Sequence, residues 1–173
     1  MRRKILTGLF WILGLGVVLW WSRLPSTKLT AGHPIPAALL ADAEGHVVSL
    51  NDFHGKVLLI NFWATWCPPC VEEMPQLEGL SQDFKNKNFV LLGINENGGT
   101  TSKAREAVAA FRLRVPLSFP ILFDDKEVAA DGFGVTSLPT SFLVDKTGNI
   151  VKVISGSVNW MDPHTLKIIE ELL

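Results

Sequence analysis

The chain has 173 residues, 47% hydrophobic and 19% charged, with 16 basic and 17 acidic side chains and a formal net charge of −1. That composition belongs to a folded, rather apolar protein and excludes a disordered one. Four cations, Arg2, Arg3, Lys4 and Arg23, stand before Lys28 with no acidic residue among them; without these four, 12 basic residues face 17 acidic ones, so the remainder is net about −5. Nucleic-acid binding, which requires clustered cations, is thereby disfavoured, and any electrostatic preference should be for basic partners.

Arg2-Arg3-Lys4 leads into residues 5–21, an apolar run interrupted only by Thr7 and three glycines. As a helix it would extend roughly 26 Å, nearly the thickness of a bilayer core. Trp20 and Trp21 stand at its far end, where indoles favour the membrane interface, and the leading cations favour a cytoplasmic N-terminus. A cleaved signal peptide would end in small residues, whereas this run ends Trp20-Trp21-Ser22-Arg23-Leu24-Pro25, which favours an uncleaved signal-anchor. The expected organisation is a cytoplasmic N-terminus (1–4), a single transmembrane anchor (5–24), a linker (25–36) and one folded domain (37–173) on the extracytoplasmic side.

Within the domain, residues 38–41 and 47–50 flank a turn-rich break and predict a hairpin. Residues 57–63 have the composition of a strand buried on both faces. From 68 to about 84, Val71, Met74, Leu77 and Leu80 recur at helical spacing. A strand at 89–94, a polar loop at 95–100 and a helix at 102–113 follow. Strands are expected at 121–123, 140–144 and 150–154, the last two joined by Asp145-Lys146-Thr147-Gly148, and a closing helix at 163–173 with Asp162 as N-cap and Pro163 at its first position. The alternation implies an α/β layered fold whose final hairpin adds antiparallel strands to a partly parallel sheet.

Cys67 and Cys70, the two cysteines of the chain, stand three positions apart at the strand-to-helix junction. A helix N-terminus favours a thiolate over a thiol, which marks Cys67 as the nucleophile and Cys70, one turn on, as the resolving thiol. Pro68 and Pro69 occupy first-turn positions whose N–H groups have no helical partner. Other readings are a structural disulfide, which would stabilise little because its loop is so short, and a zinc site, for which His33, His46, His54 and His164 are too scattered. Covalent haem attachment would need a histidine where Val71 stands. No metal or cofactor is expected.

The stretch Asn61-Phe62-Trp63-Ala64-Thr65-Trp66-Cys67-Pro68-Pro69-Cys70 resembles the active site of thioredoxin-fold proteins, closest to the membrane-anchored TlpA, ResA and DsbE type. The resemblance covers roughly residues 35–173. It implies a thioredoxin-like fold with an N-terminal β-hairpin and an inserted strand-helix unit, preceded by one transmembrane helix. It also implies a helix kink at Pro75, a cis-proline loop at Leu138-Pro139-Thr140 that binds an extended substrate beside Cys67, and a shielding or substrate contact by Trp66. Plain thioredoxins carry a buried aspartate where Asn61 stands, so the proton acceptor for Cys70 is expected to be Glu73, which matches a glutamate of the TlpA and ResA branch. Trp63 is expected in the core; Asn95 and Glu96 follow a strand and could line the same cleft, but a polar loop is the preferred reading for both.

The function implied is a thiol-disulfide oxidoreductase on the periplasmic side of a bacterial cytoplasmic membrane, acting as a reductant of protein disulfides. Members of this kind keep apocytochrome c cysteines reduced and are recharged by a membrane electron donor of the DsbD or CcdA kind. Two alternatives stand beside it: a disulfide-forming oxidant, and a non-catalytic factor that holds clients in the Pro139 groove. A peroxidase fits less well, because Cys67 has a partner three residues away.

Overall fold

A computed structural model describes residues 29–98, 101–124 and 126–173. The expected cytoplasmic N-terminus and anchor, and the first four residues of the linker, lie outside the described residues. Among those described, no helix is long and apolar enough to cross a membrane.

The chain runs β1 (Leu39–Ala41), β2 (Val47–Ser49), a 3-10 helix (Leu50–Phe53), β3 (Val57–Trp63), α1 (Pro68–Asp83), β4 (Phe89–Asn95), α2 (Thr101–Arg112), β5 (Ile121–Phe123), α3 (Val128–Phe133), β6 (Thr140–Val144), β7 (Ile150–Ser155) and α4 (Pro163–Leu172). Seven strands form one sheet in the order β2-β1-β5-β4-β3-β6-β7. The β3, β4 and β5 strands are parallel, whereas β6, β7 and the β1–β2 hairpin run antiparallel to their neighbours. This is the thioredoxin-like arrangement, with the leading hairpin added at one edge through the single pair Ala41–Phe123.

β3 is the axis of the fold: all seven of its residues are buried, and its two faces feed two cores. Side chains alternate across a strand. Val57, Leu59 and Trp63 meet Met74, Leu77 and Leu80 of α1, Val108 and Phe111 of α2, and Trp160 and Ile169. Leu58, Ile60 and Phe62 meet Leu50, Phe142, Ile150 and the Ala129, Ala130 and Phe133 face of α3. There the Phe62, Phe133 and Phe142 rings pack with centroids 4.8 to 5.8 Å apart. The same alternation puts Asn61 on the α1 face, between Leu59 and Trp63.

The predicted strands and the three longer helices fall within a residue or two of their expected ends. Asp162 caps α4 as expected, its Oδ2 accepting the N–H groups of His164 and Thr165. Two features differ from the sequence reading. Between residues 124 and 139, where no element was expected, α3 forms because the buried Asp124 carboxylate accepts the N–H groups of Val128 (3.0 Å) and Ala130 (2.8 Å), and Gly134, at φ 66°, ends the helix in a left-handed turn. Residues 32–35, assigned to the linker, are tied to the sheet: Gly32 N–H donates to Ile150 O, Ile150 N–H to His33 O, and Ile35 N–H to Gly148 O.

Candidate active site

Parallel neighbours β3 and β4 end side by side, with Trp63 opposite Asn95, so the loops that follow them meet at the C-terminal edge of the sheet. Asn97 fastens the two loops together: its Oδ1 accepts from Thr65 N–H (2.8 Å) and from the Thr65 hydroxyl (3.2 Å), and its carbonyl accepts from Trp66 Nε1 (3.4 Å). Cys67 follows as the N-cap of α1, with Pro68 and Pro69 in the first turn. Its own side chain makes no capping bond, so the sulfur is available for chemistry at the positive end of the helix.

Cys67 and Cys70 are joined by a disulfide, with an S–S distance of 2.05 Å and Cα atoms 5.3 Å apart. Cys70 is fully buried, whereas Cys67 keeps 4% of its surface and lines a cleft of about 480 Å³. The Leu138–Pro139 peptide is cis, as the resemblance implies. Leu138 lines the cleft with Cys67 and with Trp66, which is 64% exposed, whereas Pro139 is buried and is not among the lining residues. Pro75 sits inside α1, where it removes the N–H that would bond the Val71 carbonyl, and the helix continues past it to Asp83.

Glu73 follows Cys70 by one turn and is only 1% exposed, whereas its neighbour Glu72 is solvated. Its Oε1 accepts from Asn61 Nδ2 (2.8 Å) and its Oε2 from Trp160 Nε1 (3.0 Å). Burial raises its pKa above the ordinary glutamate value, and the bonds from Trp160, Asn61, the Val158 N–H and Ser157 offset part of that rise. Such a carboxylate takes up a proton more readily than a solvated one.

Glu96 corrects the polar-loop expectation. With Glu127 and Asp131 it lines the cleft beside Cys67, while Asn95 is buried at the end of β4 and does not line it. Burial, and then the charges of Asp124, Glu127 and Asp131, push Glu96 up to about 8. Its Oε1 is enclosed with no hydrogen-bond partner. Among the described residues the cleft wall contains three carboxyl groups and no Lys, Arg or His. The pairing of β3 with β4 could have located Glu96 from sequence, since residues just past adjacent parallel strands converge. No signal could have located Trp160, which lies 87 positions from Glu73.

Fold, disulfide and cis-proline cleft together define a thioredoxin-like thiol-disulfide oxidoreductase, an enzyme. Comparison with known proteins agrees: the model of the AhpC/TSA family matches residues 31–153. The thiol-disulfide oxidoreductase ResA of Geobacillus kaustophilus is 34% identical over 136 residues, covering 79% of this chain and 75% of that protein. ResA of Bacillus subtilis is 30% identical over 131 residues, covering 76% and 70%. The solved structure of a thiol-disulfide oxidoreductase from Bacteroides fragilis superposes with a TM-score of 0.66 at 28% identity, covering 82% of this chain and all of that one. The chain belongs to the AhpC/TSA family, alongside thiol-disulfide oxidoreductases of the ResA kind.

Proposed function

We propose that this enzyme is a reductant of protein disulfides, held by residues 5–24 at the outer face of a bacterial cytoplasmic membrane, with apocytochrome c as its client. The observation that carries the reducing direction is the wall of the cleft. A dithiol is a strong oxidant when its reduced form is stabilised, usually by cations or dipoles beside the thiolate. Here the helix N-terminus favours the Cys67 thiolate, but Glu127 and Asp131 oppose it and no cation in the wall compensates. Raising the free energy of the reduced form makes the couple donate electrons. The acidic wall also suits clients with basic residues near their cysteines.

In the proposed cycle the Cys67 thiolate attacks a client disulfide, forming a mixed disulfide and releasing one client sulfur as a thiolate that takes a proton from solvent. Glu73 accepts the proton of Cys70, and the Cys70 thiolate attacks Cys67 Sγ and expels the second client thiolate. That second thiolate is protonated from solvent, to which Glu73 returns its proton, so the client gains two electrons and two protons and the enzyme is left as the Cys67–Cys70 disulfide. A membrane electron donor of the DsbD or CcdA kind returns it to the dithiol. The cation-led apolar run at the N-terminus supports the anchor, and an exported compartment is where such a reductant has clients.

Trapping tests the exchange step. Cys70→Ala in cells should accumulate mixed disulfides through Cys67, with cytochrome c polypeptides among them, and Cys67→Ala should accumulate none. Full function retained by Cys67→Ala would favour the client-holding reading instead.

A further inference from the structure

The Glu73 carboxyl group is held from two sides by donors of different kinds. Trp160 Nε1 donates to Oε2 at 3.0 Å, and an indole N–H can only donate. Oε2 therefore remains an acceptor whether Glu73 is ionised or protonated. A proton taken on Oε1, the oxygen that faces Asn61, leaves that indole bond in place.

Asn61 is equipped for that change. Its Nδ2 is shared between Glu73 Oε1 (2.8 Å) and Ser141 Oγ (2.9 Å), while its Oδ1 is buried with no partner. Turning the amide over brings Oδ1 to the position where Oε1–H and the Ser141 hydroxyl can both donate to it, because a hydroxyl serves either way. Trp160 has no such freedom. Its ring is 1% exposed, and its backbone N–H donates to Gln76 Oε1 at 2.8 Å, three residues beyond Glu73 on α1. The loop before α4 is thus clamped at two points to the helix that carries both Cys70 and Glu73.

We propose that Trp160 is a positioning residue of the exchange reaction: it commits Glu73 Oε2 as an acceptor, so that the proton of Cys70 is taken on Oε1 and received by the turning amide of Asn61. The inference rests on the reading of Glu73 as the base for Cys70. The groups that hold Glu73 from other elements are Asn61 on β3 and Ser157, the Val158 N–H and Trp160 in the loop after β7, with Ser141 on β6 behind Asn61; all are neutral. On its own helix the titratable neighbour one turn back is Cys70.

The test compares the full chain with Trp160→Phe, which keeps an aromatic ring and removes the N–H. Two readouts are taken: the Glu73 carboxyl titration, by infrared difference against Glu73→Gln, and the pH profile of mixed-disulfide resolution by Cys70. Losing a donor to the carboxylate should move both upward by about one pH unit or more, and in a Glu73→Gln background Trp160→Phe should add no shift. An unmoved titration in Trp160→Phe, with Glu73→Gln still removing the limb, overturns the role of Trp160 and leaves that of Glu73 standing. A Glu73→Gln profile identical to the parent overturns the reading of Glu73 itself. Should Trp160→Phe disorder its loop, the indole N–H resonance of Trp160 in the parent protein is the second readout: it should stay hydrogen-bonded through the Glu73 titration, and loss of that bond as Glu73 is protonated contradicts the proposal.

Discussion

At the scale of single residues, a buried carboxyl group, Glu73, and a half-buried one, Glu96, do different work. Glu73 has donors on both oxygens and sits behind the disulfide, whereas Glu96 has an enclosed oxygen without a partner and sits in front of it. Glu96 also sets a pH dependence whose sign follows from linkage. The folded protein holds this proton up to about 8, and the unfolded chain releases it near the ordinary glutamate value of 4.5. Between those values the folded state binds more protons, so stability from this group is complete below the lower value and is lost as pH rises through the upper one. Glu96→Gln should remove that loss, raising stability at pH 9 by about 1–2 kcal/mol, a figure discounted for the side chain's solvent-facing edge. Thermal melts of both proteins from pH 5 to 9 check it: the curves should converge at low pH and separate at high pH.

Among the elements, α3 is the one whose existence depends on a single side chain. It spans six residues and includes Gly132, too short and too weak to form by propensity alone. What holds it is the Asp124 carboxylate at its start and the Ala129, Ala130 and Phe133 face against β3. Asp124→Ala should cost about 1–2 kcal/mol and speed amide exchange at Val128 and Ala130 ahead of the rest of the domain. Exchange measured by NMR that rises uniformly instead would place the cap outside the stability of the cleft wall. The same contrast shows why α3 escaped the sequence reading. β3, β4 and the longer helices announce themselves through burial runs and periodicity within their own spans, while α3 is specified by a preceding aspartate and by tertiary packing. The hairpin was visible from its turn chemistry, but the strapping of residues 32–35 onto β7 was not, because those backbone bonds carry no side-chain signature.

For the molecule as a whole, the disulfide, the cis peptide before Pro139 and the exposed Trp66 were legible because short motifs carry them. The acidic wall and the indole behind Glu73 were not, because they converge on Cys67 and Cys70 from residues scattered between Glu96 and Trp160. Those long-range arrivals carry the proposed redox direction. They place carboxyl groups beside a helix-capping cysteine, in a domain (37–173) where 11 basic residues face 17 acidic ones. The reduction potential of the Cys67–Cys70 couple, measured by equilibration against dithiol buffers of known potential, tests this most directly. The account predicts a value near the roughly −270 mV of a thioredoxin, and a value near the roughly −120 mV of a strong disulfide-forming oxidant would contradict it.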